Sequence, residues 1–184
     1  MRRTLPGVAW KAACSVLLVG LLSPALLCGA ELQIGAASVD ITPNKAVALW
    51  GQFGLRLSTK PTTPLTANVV ALRSGDVSTT FVSLDLLQLP EVFVQAIRDA
   101  VAKKDQSIKV ENLVLTATHT HTAPVLRPGT PGIPVNPQTM TVEETIVFLA
   151  DKISHGIVTA WKNLAPGKMT YGLDRNSIGF GRRA

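Results

Sequence analysis

The amino-acid sequence predicts a layered α/β domain in which helices flank a mixed β-sheet. Three apolar, β-branched stretches come first, and helical and strand patterns then alternate. Buried strands are continuously apolar or alternate with a period of two, whereas helical patterns repeat every three to four residues. The resulting order, β-β-β-α-β-α-β without an internal repeat, favours this fold class.

The first half of the domain is predicted to hold three strands and one long loop. Residues 32–40 are apolar and small and stop at a turn signal, as a first strand does. Residues 44–64 contain two glycines and two prolines. They predict a long loop, and such loops often border functional sites. Residues 65–73 and 79–84 are apolar and β-branched around Ser74-Gly75-Asp76, which predicts a hairpin.

The second half is predicted to alternate helices with strands. Pro90 suits the start of a helix, Thr141 can open another, and Pro166-Gly167 can stop it. The predicted order is a helix over 90–104, a strand over 110–116, a loop over 124–137, a helix over 141–163 and a strand over 168–173.

The amino terminus has the pattern of a secretory signal peptide, predicted over residues 1–30. Three basic residues lie among the first eleven, an apolar run spans 12–27, and small residues follow it. A retained membrane anchor is the alternative, but about 16 apolar residues fall short of the roughly 20 that a span needs. A lipoprotein signal at Cys28 is disfavoured because no small residue directly precedes the cysteine. We expect a secreted, periplasmic or cell-surface protein whose mature part is 31–184.

Composition bounds the class of this mature part. Both cysteines, Cys14 and Cys28, lie in the leader, so the mature domain must be stable without disulfides. About 154 residues are enough for one domain with a hydrophobic core. Three of the 18 basic residues lie in the leader, which leaves 15 basic and 12 acidic residues. No basic run is interleaved with aromatic residues, so the charge does not predict nucleic-acid binding.

A pair of histidines, His119 and His121, carries the most informative chemistry. In an extended chain their side chains lie on the same face, about 6.6 Å apart. That spacing suits two ligands of one metal, or one ligand beside an acid/base group. Ligands of open α/β sheets gather beyond the carboxyl ends of strands, where this pair stands. Because His-x-His alone is a weak motif, two strand-end histidines without a function are the alternative.

Other residues give weaker evidence for a functional site than the two histidines. The hydroxyls of Thr118, Thr120 and Thr122 are expected to orient the imidazoles. Asp85 could support a metal site from the adjacent strand or serve in a turn. Arg182 and its neighbour could bind a carboxylate or an oxyanion, or form a solvated pair. Phosphate-loop and nucleophile-elbow motifs are absent from the sequence. A catalytic zinc needs three protein ligands, and the sequence offers no persuasive third.

Three segments stand out as a set: Ile34-Gly35-Ala36-Ala37-Ser38-Val39-Asp40-Ile41-Thr42-Pro43, Ser83-Leu84-Asp85-Leu86-Leu87-Gln88-Leu89-Pro90 and Thr118-His119-Thr120-His121-Thr122-Ala123-Pro124. Together they resemble the amino-terminal part of the neutral/alkaline, non-lysosomal ceramidase family. Members of that family are secreted or surface zinc amidases that hydrolyse the N-acyl bond of ceramide to sphingosine and fatty acid.

The resemblance implies a zinc cofactor and a role for three residues. His119 would be a zinc ligand, His121 would contact the reacting group, and Arg182 would line the pocket. Zinc would activate a water molecule or polarise the carbonyl, with His121 and Arg182 stabilising charge on the tetrahedral oxygen. The substrate would be a lipid amide met at a membrane surface.

This sequence departs from the family pattern at two places. Thr122-Ala123 stand where the family has serine and glycine, and Gly181 replaces the asparagine before the pocket arginine. The family's remaining zinc ligands and its nucleophilic serine come later than Ala184. We therefore expect an amino-terminal fragment of a larger protein.

Rival interpretations use the same histidines or none. A site of the metallo-β-lactamase type expects His-x-His-x-Asp, but Ala123 stands at the aspartate position. A barrel-type amidohydrolase would carry His-x-His on its first strand, whereas about three strands precede it here. The third rival is an exported, non-catalytic module that binds a lipid or a partner.

Overall fold

The computed structural model describes residues 30–175, which form a five-stranded mixed sheet with two packed helices and a separate two-stranded sheet. The elements in chain order are β1 (Leu32–Asp40), β2 (Ala48–Leu49), β3 (Arg56–Leu57), β4 (Thr66–Ser74), β5 (Val77–Leu84), α1 (Glu91–Lys104), a 3-10 turn (Val110–Asn112), β6 (Leu113–Ala117), α2 (Val142–Lys162) and β7 (Ala165–Pro166). The five-stranded sheet has the order β6-β5-β4-β1-β7. Only β5 and β6 are parallel among its neighbours, so the predicted mixed α/β fold is confirmed.

Most of the predicted leader and the predicted site residue Arg182 lie outside the described residues. The predicted hairpin is confirmed, with Gly75 in the left-handed region at the turn between β4 and β5. Helix α1 begins directly after Pro90, as predicted.

The strand residues divide the sheet into a covered and an open face. Val69 and Val82 point to the covered face, are 1% exposed, and belong to one apolar core with both helices. Val70, Phe81 and Val114 are register partners on successive strands and remain exposed. Because side chains alternate along a strand, one face packs on the helices while the other presents an apolar row.

Helix α2 is fixed by its capped start and by a glycine of β1 at its contact with the sheet. The Thr141 hydroxyl accepts from the Glu144 backbone, and the Glu144 carboxylate accepts from the Thr141 backbone. This capping box satisfies two amides that a helix leaves unpaired. A side chain at Gly35 would overlap the Ala160 carbonyl, so glycine there lets helix and strand approach closely. Among the described residues, no helix combines the length and apolar character that a membrane crossing requires.

The predicted strand over 168–173 is wrong. The edge strand is the two-residue β7, and the Gly167 N–H donates to the Leu32 carbonyl at 2.9 Å. Residues 168–175 have no strand structure, although Met169 and Tyr171 have strand-compatible side chains. Strand propensity depends on a partner strand and a packed face, and these residues have neither within the described chain.

Two loops are joined to each other at the end of the sheet where the parallel strands β5 and β6 have their carboxyl termini. This end is called the carboxyl edge. The predicted loop over 44–64 contains the small β2–β3 ladder. Its Trp50 N–H donates to the Ala123 carbonyl, and the Ala48 carbonyl accepts from the Val125 N–H. Backbone bonds of this kind place the histidine segment against a loop that is far away in sequence.

Candidate functional site

The site is built where the parallel strands β5 and β6 end side by side. Leu84 and Ala117 are register partners at these ends. The pairing continues beyond the strands, because the Thr118 and His119 N–H groups donate to the Leu84 and Leu86 carbonyls at 2.9 and 3.0 Å. The histidine segment therefore starts from a fixed backbone at the carboxyl edge of the sheet.

His119 has a strained backbone and a fixed ring. Its φ of 64° makes it the one non-glycine residue with positive φ in the described chain. Such a conformation costs about 1–3 kcal/mol and is concentrated at functional sites. The ring Nδ1 lies 2.9 Å from the Leu87 carbonyl. A carbonyl can only accept, so Nδ1 carries the proton and Nε2 is the ring nitrogen able to bind a metal.

His121 is held by a loop and not by the sheet. The Arg56 guanidinium donates through Nη2 to the His121 carbonyl at 2.6 Å. Gly51, with a φ of 100°, lies against the imidazole, and a Cβ there would come within 2.6 Å of the ring Cγ. No side chain fits at this position, so the predicted long loop does border the site.

The two imidazoles lie next to each other. Their centroids are 5.2 Å apart and their planes are inclined by 65°, an edge-to-face arrangement. The extended-chain expectation gave a similar separation, but the backbone route differs because β6 ends at Ala117. Turn geometry, and not strand alternation, brings the rings together.

The threonines have roles other than the predicted one. Thr120 and Thr122 pair their hydroxyls with each other at 2.9 Å. Thr118 donates its hydroxyl to Asp85 at 3.2 Å. The ring of His119 is oriented by the Leu87 carbonyl, so the expectation that threonine hydroxyls orient the imidazoles is wrong in the described structure.

Asp85 connects three strand ends. Its carboxylate accepts from the backbone N–H and the hydroxyl of Thr66, and from Thr118. Partial burial opposes ionisation, but the bonds from Thr66 and Thr118 outweigh it and hold the pKa of Asp85 below its usual value. All these contacts are structural, so the sequence alternative of a turn role describes this residue better than metal support.

An open cavity of about 600 Å³ lies beside His121. It is lined by the loop residues Gly51, Gln52, Phe53, Gly54, Leu55 and Arg56, together with His121. The exposed imidazole of His121 and the apolar loop thus face one space, which suits a ligand that has a polar reacting group and an apolar body.

The described residues do not complete a metal site. Within 30–175, no group of three or more histidine, cysteine, aspartate or glutamate side chains could hold a metal ion. His119 can supply one metal ligand through Nε2, because its proton is on Nδ1, which faces the Leu87 carbonyl. His155, the third histidine, is exposed on α2.

Sequence reasoning missed Gly51, Arg56 and Leu87. Gly51 and Arg56 lie in the loop predicted to border a site, but only the fold shows which residues touch His121. Leu87 acts through its carbonyl, which carries no side-chain signal. The positive φ of His119 was not predictable either. Histidine is enriched several-fold in that region, but only a few per cent of non-glycine residues adopt it.

Comparison with solved structures finds ceramidases. A crystal structure of neutral ceramidase from Pseudomonas aeruginosa matches with a TM-score of 0.58 and 20% identity over 75% of this chain. A ceramidase complexed with C2 matches with a TM-score of 0.60, at the same identity and coverage. The chain spans about a fifth (22%) of the length of these two proteins. No protein-family model and no curated protein matches it. The chain therefore has a ceramidase-like fold.

Proposed function

We propose that this chain is the amino-terminal part of a zinc-dependent amide hydrolase of the neutral ceramidase type. Its substrate would be ceramide or a related lipid amide, cleaved at the N-acyl bond. The bond from His119 Nδ1 to the Leu87 carbonyl is the observation that carries this proposal. Metal-ligating histidines are commonly held in this way, because the bond fixes both the tautomer and the ring orientation. The ceramidase-like fold supports it.

The two histidines have different parts in this proposal. His119 would hold the zinc through Nε2, and the zinc would supply Lewis-acid chemistry for the amide carbonyl. His121 contacts the reacting group, since its ring lies 5.2 Å from that of His119 and faces the open cavity. Arg182, which lies outside the described residues, assists in stabilising negative charge on the carbonyl oxygen.

The remaining ligands come, in this proposal, from sequence that follows Ala184. A catalytic zinc takes three protein ligands and one open position. The neighbouring ceramidases are several times longer than this chain, which gives room for such residues. We further propose that the protein is exported by its amino-terminal leader.

The test is hydrolysis of a fluorescent ceramide by the protein expressed from its complete gene. We expect zinc-dependent release of the fatty acid, lost on chelation and regained with added zinc. His119→Ala should lower the rate at least about a hundredfold. Even the loss of a group that hydrogen-bonds to a metal ligand lowers metal affinity or activity about 10–100-fold. His155→Ala, on the far helix, is the matched control and should keep full activity. Full activity in His119→Ala, or no hydrolysis with zinc supplied, contradicts the proposal.

An exported, non-catalytic binding module is the second candidate. The observation in its favour is that residues 30–175 assemble no group of three metal-ligating side chains. Under this candidate, the complete-gene protein binds fluorescent ceramide but releases no fatty acid with or without zinc. Binding without turnover in the wild type, unchanged in His119→Ala, would establish it.

A further inference from the structure

A groove of about 550 Å³ shares Arg56 as a lining residue with the His121 cavity. Three of its lining residues are cationic, namely Lys45, Arg56 and Lys60, and none is acidic. The lining also presents hydroxyls, from Thr42, Ser58, Thr59, Thr62, Thr63 and Thr122. Cations together with hydroxyl donors form a surface that is chemically suited to phosphate groups.

The charged residues in the two loops at this edge are all cationic. Segments 41–64 and 118–142 contain no aspartate or glutamate. Their four cations are the three of the groove and Arg127, which stacks 5.6 Å from the Trp50 ring. Asp40 precedes the first segment, and its carboxylate accepts the Thr42 N–H at 2.8 Å. Asp85 is the acidic residue at the neighbouring strand ends, where its carboxylate is bonded to Thr66 and Thr118. The two loops themselves carry only positive charge.

Exposed apolar side chains stand beside these cations. Phe53 is fully exposed at the tip of the loop between β2 and β3, and Leu55 and Leu57 are about 40% exposed. Phe53 and Leu55 line the His121 cavity, whereas Leu57 lines the cationic groove. Aromatic and aliphatic tips flanked by lysine and arginine are the composition of segments that enter the boundary of anionic bilayers.

We infer that this edge docks on a membrane containing anionic phospholipid. Headgroup phosphates occupy the groove between Lys45 and Lys60, and Phe53 enters the boundary of the acyl chains. Arg56 lines both the groove and the cavity. A docked bilayer therefore lies directly at His121, where a lipid amide would be met. The docking deepens the proposed function and rests on it for the substrate, but it requires neither zinc nor turnover.

The experiment measures vesicle binding by the 184-residue chain in EDTA, with no ceramide present. Vesicles of phosphatidylcholine alone are compared with vesicles containing about 30% phosphatidylserine, which supplies the negative surface. Every variant keeps residues 1–30, so any contribution of the apolar leader is equal throughout. We expect binding at least about tenfold tighter to the phosphatidylserine vesicles, lost near 1 M salt where the Debye length is about 3 Å.

Two sets of variants locate the surface. Lys45→Gln with Lys60→Gln should weaken binding by about 25-fold, since each lysine near the surface contributes about a factor of five. Phe53→Ser should weaken it about tenfold through lost apolar burial. The controls are Lys103→Gln with Lys109→Gln, which remove the same charge at the opposite edge, and Val77→Ser, which removes an exposed side chain from the β4–β5 turn.

Three results overturn the inference. Equal binding to both kinds of vesicle would show that the protein does not recognise anionic phospholipid. An equal loss in the control lysine pair would show that net charge, and not this edge, matters. Unchanged binding in Phe53→Ser, with circular dichroism showing the wild-type fold, would show that Phe53 does not enter the bilayer. His119→Ala should bind vesicles like the wild type, so failure of the zinc proposal and failure of docking are separate outcomes.

Discussion

The helix-covered face of the sheet and its carboxyl edge are built by opposite means. The covered face is an apolar core in which Phe93, Ile97 and Leu149 are completely buried. The carboxyl edge depends on irregular backbone, with a positive φ at His119 and a glycine pressed against His121. Stability is concentrated in the first region and backbone strain in the second, which is a common division between scaffold and site.

The largest expected effect is in the core. Phe93→Ala removes a fully buried ring and should lower the free energy of unfolding by about 3–5 kcal/mol, because the cavity cannot close. Urea denaturation measures it. Val92→Ala, one residue earlier and about half exposed, is the control and should change stability by less than about 1 kcal/mol. Similar losses in both variants would refute the contrast between core and surface.

An intermediate effect is expected at the loop that holds His121. Gly51→Ala combines a positive φ with a Cβ only 2.8 Å from the His121 Cα. It should lower the free energy of unfolding by about 1–3 kcal/mol and shift the His121 ring resonances in NMR spectra. Gly54→Ala, in the same loop with open space around it, should stay within about 0.5 kcal/mol. Unmoved His121 resonances in Gly51→Ala would show that the contact is not needed.

A smaller, pH-dependent effect is expected at Asp85. Its pKa is lowered in the folded state, where burial is outweighed by bonds from Thr66 and Thr118. Its stabilising contribution is therefore present above the unfolded pKa of about 3.9 and is lost as the pH falls through the lower, folded value. The stability gap between wild type and Asp85→Asn should be constant above about pH 5 and should shrink in more acidic solution.

Denaturant titrations at several pH values measure that gap. Asp76→Asn, in the exposed β4–β5 turn, removes the same charge and controls for the change in net charge. A gap for Asp85→Asn that widens as the pH falls would have the wrong sign for the bonded carboxylate.

The sequence predicted the main strands and helices that enclose the core because their signals are local. Apolar, β-branched runs that include Val69 and Val82 mark the strands, and Thr141 marks the start of α2 through bonds within its own first turn. The failure at 168–173 has a physical reason as well. Whether a stretch becomes a strand depends on a partner, and β1 pairs with β7 at Ala165–Pro166 instead.

The site was predictable only in part. The strand end and the His-x-His spacing predicted which residues to examine. The contacts that arrange them were not accessible, because Arg56 is 65 residues from His121 along the chain and Leu87 contributes only its backbone carbonyl. Site geometry of this kind is set by which loops the fold brings together.

The most direct measurement is the zinc content of the complete-gene protein after dialysis, determined together with its rate of ceramide hydrolysis. His119→Asn, chosen because asparagine tolerates positive φ, should lose both the metal and the activity while the protein stays folded. His121→Asn should keep about one zinc per chain and lose activity, since the proposed function assigns His121 to the reacting group and not to the metal. Equal zinc content in wild type and His119→Asn would contradict the account.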